Sequence, residues 1–157
     1  MTTSTELESA FCSNILSLYD SIQSWLPDDQ FDFQREQVYL SEEAIGRYAS
    51  EKLVLRNKNR KLVATLVPIG ASVIGADGRV DIQGEYDTTS LLRLEKDGPS
   101  LTSADGENTS STRSFFRTPI EAADWYWIED KRRGKAHRLT KELFRELLVQ
   151  VSDFEFA

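Results

Sequence analysis

LVLRNKNRKLVATLVPIGASVIGADGRVDIQG, residues Leu53 to Gly84, is a series of short aliphatic and β-branched segments separated by turn chemistry. Leu53 to Arg56 and Lys61 to Val67 flank Asn57-Lys58-Asn59-Arg60, which predicts a hairpin. Val67-Pro68-Ile69-Gly70 is predicted to break the second strand, because proline has no N–H to give a ladder and glycine weakens one. Ser72 to Gly75 and Arg79 to Gly84 then flank Ala76-Asp77-Gly78, and Asp-Gly is among the strongest short hairpin signals. Tight turns join antiparallel strands, whereas parallel strands need long crossovers, usually helical. The segments sit too close together for a crossover, so the sheet is predicted to be an antiparallel meander.

Toward the N-terminus, Glu36 to Leu40 reads as a short strand, and Ser41 is predicted to cap a brief helix reaching about Ser50. Before these, Leu7, Phe11, Ile15, Leu18, Ile22 and Trp25 recur at steps of 4, 4, 3, 4 and 3, which lines up one face of a helix from about Thr5 to Leu26. Thr3-x-x-Glu6 and Thr5-x-x-Glu8 are overlapping capping boxes for its start, and Pro27 ends it. Toward the C-terminus, Thr89 to Leu94, Ser114 to Thr118 and Asp124 to Asp130 read as strands. Between the first two, KDGPSLTSADGENTSSTRS can bury little, which predicts a flexible loop over about 97–113. Thr140 caps a last helix to about Val151, with Leu139 packing on Phe144 as a hydrophobic staple. The expectation is a single α+β domain over 1–157: a long N-terminal helix, an antiparallel sheet of about six to eight strands, and a C-terminal helix packed on the sheet.

Composition narrows the function classes. The 19 Lys and Arg against 26 Asp and Glu give a formal charge of −7, which disfavours a surface wholly devoted to nucleic acid, since phosphate affinity comes from cations that release counterions. No apolar run approaches the roughly 18 to 20 residues of a membrane helix, and the Ser/Thr/Glu-rich start lacks a signal-peptide build, so a soluble, cytoplasmic protein without a membrane partner is expected. One cysteine, Cys12, and one histidine, His137, allow neither an internal disulfide nor a His/Cys zinc site. There is no phosphate-binding glycine loop, nucleophile elbow or EF-hand pattern, and Asp28, Asp29, Asp32, Asp77 and Asp81 read as acidic turn residues. The chain is therefore expected to be no enzyme, with no catalytic, cofactor or metal residues.

Charge is unevenly spread. Residues 1–50 hold nine acids and two bases and so carry the whole excess, while the rest is neutral. Such an end suits either a basic partner or a solvated acidic coat. The first helix also has an unusual outer face of Ser9, Ser13, Asn14, Ser17, Ser21 and Ser24. Ser13, Ser17 and Ser21 are candidate partner contacts if a second surface packs there; otherwise the face is a Ser-rich exposed one. A different signal lies downstream, where Trp125, Tyr126 and Trp127 precede Lys131, Arg132, Arg133, Lys135, His137 and Arg138. Aromatics beside cations can stack on bases and neutralise phosphates, although strand aromatics more commonly fill cores. Lys52, Arg56, Lys58, Arg60 and Lys61 form a second basic cluster.

In size, acidity and element order the chain is similar to bacterial secretion chaperones and small immunity-type proteins; no motif carries the resemblance, so it transfers no residues. The expected function is non-enzymatic: an adaptor, chaperone-like or immunity-like module that engages a protein partner, or a second copy, through the N-terminal helix. The alternative is a binder of nucleic acid or an anionic ligand through residues 131–138.

Overall fold

The strand pattern of residues 53–84 forms the middle of a seven-stranded antiparallel sheet in the computed structural model, which describes residues 3–73, 76–98, 100–104, 110–114, 116–130 and 132–156. In chain order the elements are α1 (Ser4–Trp25), β1 (Phe31–Glu42), β2 (Gly46–Asn57), β3 (Leu62–Gly70), β4 (Arg79–Gly84), β5 (Thr88–Leu94), β6 (Ser100–Ala104), β7 (Ser110–Ser114), β8 (Asp124–Asp130), β9 (Lys135–Arg138) and α2 (Lys141–Val151). The large sheet runs β1-β2-β3-β4-β5-β8-β9, and β6 and β7 pair separately. The architecture is thus the α+β meander between two helices that the sequence predicts.

Local chemistry sets the helix ends. The Thr3 hydroxyl accepts from the Glu6 amide while the Glu6 carboxylate accepts from the Thr3 amide, so the first of the two capping boxes is the one used. Leu26 leaves the helix at φ −99° and ψ 139°, as expected of a residue before proline. Thr140 caps α2 by accepting from Leu143, and Leu139 and Phe144 are buried in one cluster.

Both helices contribute to the main core on one side of the sheet. Phe11, Ile15, Leu18, Tyr19 and Ile22 of α1 meet Leu53, Leu55, Leu66 and Ile82 of the strands and Phe144, Leu147 and Val151 of α2. The sheet curls so that α1 reaches both β2, where the Cys12 thiol donates to the Ala49 carbonyl (3.5 Å), and β8, where the Trp125 indole donates to the Asn14 carbonyl (3.3 Å). A second, smaller cluster joins Leu94, Tyr126 and Ala136 to Phe116 and Ile120 of the connection into β8. Trp125 and Tyr126 therefore serve different clusters, as strand alternation requires.

Several local expectations are corrected. The brief helix from Ser41 to Ser50 does not form: β1 and β2 pair from Phe31↔Asn57 to Glu42↔Gly46, and Gly46 takes φ +91° in the turn. Pro68 does not end β3. It pairs with Val80 beyond the last β2–β3 pair and beside a register shift, settings that tolerate a residue without an N–H. Val73 and Ala76 make only an isolated bridge in place of the predicted Ser72 to Gly75 strand, of which residues 74–75 lie outside the described residues. Ser114 ends β7, and Arg117 and Thr118 turn away to donate to the Gly134 carbonyl rather than extending a strand. Where the composition predicts a loop over about 97–113, the β6–β7 ladder pairs Ser100↔Ser114 through Ala104↔Ser110; residues 99 and 105–109 lie outside the described residues.

The β1–β2 turn explains the fate of Glu42. Its carboxylate accepts from the Ala71 amide (3.0 Å), the Ser72 amide (2.8 Å) and the Tyr48 hydroxyl, tying β1 to the end of β3. Burial works against the charged form, but these hydrogen bonds outweigh it and hold the Glu42 carboxyl below the ordinary glutamate value. A depressed folded-state value stabilises above the unfolded value, and that contribution is lost as pH falls through the folded one. Glu42→Gln is therefore expected to lower the urea midpoint at neutral pH. Its deficit against the parent should narrow as pH drops below about 4.5, the unperturbed value. Denaturation series at neutral and acid pH measure this.

Candidate functional site

The outer face of α1 is open. Ser13 and Ser17 are exposed, Ser21 is half-buried, and Leu16 between them is 41% exposed. Arg35 of β1 binds the C-terminal half of this helix, donating to Asp20 (2.6 Å) and to Gln23. That contact makes α1 and β1 one continuous surface. β1 is an edge strand of 12 residues whose only neighbour in the sheet is β2, so its outer row of N–H and C=O groups has no ladder partner among the described residues. Such an edge is a template for another strand.

Much of the acidic excess is neutralised inside the chain. Asp20 meets Arg35, Asp32 meets Lys58 (2.9 Å), Glu36 meets Lys52 (3.1 Å), Glu6 caps α1, and Glu42 is held as described. Glu8, Asp28, Asp29 and Glu43 have no side-chain ion pair or hydrogen bond among the described residues. The acids left open thus lie at the two ends of β1 and near the start of α1.

The basic segment is placed on and before β9. Lys131 lies outside the described residues. Arg133 faces Asp130 (3.6 Å), His137 faces Glu129 (3.1 Å) and Arg138 faces Asp124 (2.7 Å), while Arg132 and Lys135 are exposed and form no ion pair among the described residues. Trp125 is only 2% exposed, which removes it as a stacking platform. Trp127 is half-buried, donates its indole N–H to Thr89 and stacks on His137 with ring centroids 5.7 Å apart. Arg117, absent from the sequence-based candidates, lines an open concavity of about 720 Å³ with Arg133 and Lys135. Nothing local in the sequence flags it, because only the turn at Gly134 brings it to β9. The second basic cluster is dispersed, with Lys52, Lys58 and Lys61 each paired to acids.

A pocket of about 510 Å³ lies between α1 and the β1–β2 hairpin. Cys12 and Ile15 line it from the helix, and Arg35, Ser50 and Glu51 from the strands. Burial, then the carboxylates of Glu8 and Glu51, push the Cys12 thiol above its ordinary value despite an opposing contribution from Ser50, so Cys12 is a weak nucleophile here. No hydrogen bond joins it to His137, whose ring nitrogen contacts Glu129 instead. The sequence does not flag Ser50 and Glu51, which match no motif and lie where local signals predict the end of a helix rather than a strand. No helix among the described residues is long and apolar enough to cross a membrane. Comparison of the chain with models of protein families, with curated proteins and with solved structures finds no match.

Proposed function

We propose that the chain is a non-enzymatic binding module that acts through protein–protein contact at the outer face of α1 and the adjoining edge of β1, with a basic protein segment as partner. The observation that carries this reading is the long unpaired edge of β1, flanked by open carboxylates and tied by Arg35 to an exposed helix face. An extended segment added to such an edge gains main-chain hydrogen bonds, and its charges are selected by Asp28, Asp29 and Glu43. In a complex isolated from the native host, the outward amides of residues 31–42 are expected to gain protection from hydrogen exchange. Gln37→Pro, which alters the edge, is expected to abolish co-purification. Protection confined to other surfaces, or a strict monomer by light scattering with nothing bound, contradicts the proposal. A doubled mass with the same protected strand would make the occupant a second copy.

A second reading is favoured by the concavity shared by Arg117, Arg133 and Lys135, which would take nucleic acid or another anion. It requires affinity that falls steeply with salt, and Lys135→Glu should weaken binding to any sequence. Absence of a gel shift at low salt removes it.

A further inference from the structure

The connection into β8 and the turn before β9 bring together three cations that the sequence holds apart. The Arg117 and Thr118 amides donate to the Gly134 carbonyl (2.9 and 3.3 Å), and the Thr118 hydroxyl oxygen accepts from the Ala136 amide (3.1 Å). These bonds seat Arg117 against the turn, where Arg133 and Lys135 flank Gly134. All three cations are exposed and line one open concavity of about 720 Å³ with Thr118 and Pro119. The side chains of Arg117 and Lys135 form no ion pair or hydrogen bond among the described residues. Only Asp130 answers the group there, 3.6 Å from Arg133, and its other oxygen already accepts from the Arg132 and Arg133 amides. Three like charges around one hollow repel one another, and the fold leaves them together in a chain with 26 acids to spare.

We infer that this concavity binds the terminal phosphate of a small organic phosphomonoester, an inference that rests on the anion-binding reading above and narrows it to one class. Guanidinium forks suit phosphate oxygens, an ammonium adds a point charge, and the Thr118 hydroxyl, which accepts through its oxygen, keeps its proton to donate. A terminal phosphate carries about two negative charges above its second pKa of about 6, so it meets three cations better than the single charge of a diester does. A strand of nucleic acid needs a longer basic track with aromatic platforms for its bases. The surroundings do not supply one: His137 and Arg138 face Glu129 and Asp124, Trp125 is buried, and Trp127 is stacked on His137. The volume is in the range of small-molecule sites and exceeds what a bare phosphate fills, which leaves room for an organic group along Pro119.

The full-length chain is titrated with phenyl phosphate, methyl phenyl phosphate or inorganic phosphate at low, matched ionic strength and about pH 8, following the backbone amides by NMR. Phenyl phosphate is expected to shift the Arg117, Thr118, Arg133 and Lys135 amides saturably. It should bind about fivefold or more tighter than methyl phenyl phosphate, which has the ring but one charge fewer. It should also bind tighter than inorganic phosphate, which has the charge but no ring. Arg117→Gln and Lys135→Gln should each weaken phenyl phosphate about threefold to tenfold. Arg132→Gln, at an exposed cation that does not line the concavity, should leave its affinity unchanged. No saturable shift, equal affinity for the three probes, or an equal loss in Arg132→Gln overturns the inference. An oligothymidylate without terminal phosphates separates the two claims. If it binds while phenyl phosphate does not, the phosphomonoester inference fails and the broader anion reading stands; if no anion binds, both fail.

Discussion

Replacing Gly84 with valine is expected to cost the folded chain about 3 kcal/mol or more, at the upper end of what overpacking costs, and to lower the melting temperature by roughly 6 to 12 °C for a domain of this size. Gly84 ends β4 opposite Ala64, and a Cβ placed on it would stand 2.0 Å from the Val151 carbonyl oxygen and 2.5 Å from its carbon. That carbonyl belongs to the last turn of α2 and accepts from the Tyr86 amide (2.9 Å) and the Asp87 amide (3.3 Å). Backbone thus meets backbone, one side fixed by the ladder and the other by the helix, so no side chain can swing aside to make room. The whole of α2 would have to lift, taking Phe144, Leu147 and Leu148 out of the core. Gly46 supplies the control. It needs its glycine for φ +91° but has nothing within 4 Å of a built Cβ, so Gly46→Ala should cost only about 1 to 2 kcal/mol through conformation alone. Urea melts that show Gly84→Val no worse than Gly46→Ala would refute the close-contact account.

The same contrast between local and tertiary causes explains what the sequence could and could not reveal. Asn57 and its turn were legible because the chemistry is local: the Asn57 side chain accepts from the Asn59 and Lys61 amides within the hairpin itself. The Leu139–Phe144 staple and the first capping box were legible for the same reason. Ser41-Glu42-Glu43 misled because a cap followed by acids is a local helix signal, whereas Glu42 is claimed by Ala71 and Ser72, about thirty residues away in the chain. The composition of residues 97–113 predicts a loop because turn residues and Ser/Thr carry no strand pattern, but composition is silent about whether backbones pair, as those of Ser100–Ala104 and Ser110–Ser114 do. The charge count locates the acids without showing that Asp20, Asp32 and Glu36 find cations in Arg35 of β1, Lys58 of the β2–β3 turn and Lys52 of β2. Arg117 escapes because it matters only through what the fold sets beside it.

Phe11→Ala and Ser17→Arg, on opposite faces of α1, are expected to separate stability from binding. Phe11 is 1% exposed, meets Tyr48 edge-on with centroids 6.5 Å apart, and presses so closely on Gly78 that a Cβ there would lie 2.8 Å from its ring. Truncating a ring held between β2 and the turn before β4 leaves a void that neither can fill without leaving its own partners, so a loss of about 3 to 5 kcal/mol follows. Ser17 is exposed and makes no side-chain hydrogen bond among the described residues, so arginine there should change stability by no more than about 0.5 kcal/mol. Its effect should fall instead on complex formation, because a long cation on a surface of small uncharged side chains prevents close approach and repels a basic partner. The two variants thereby separate two meanings of a serine-lined face. If it is merely solvated, Ser17→Arg leaves both the urea midpoint and the complex intact, and the contact has to lie wholly on β1. If it is a contact, the midpoint holds while the complex is lost, a combination that a structural role for Ser17 cannot produce.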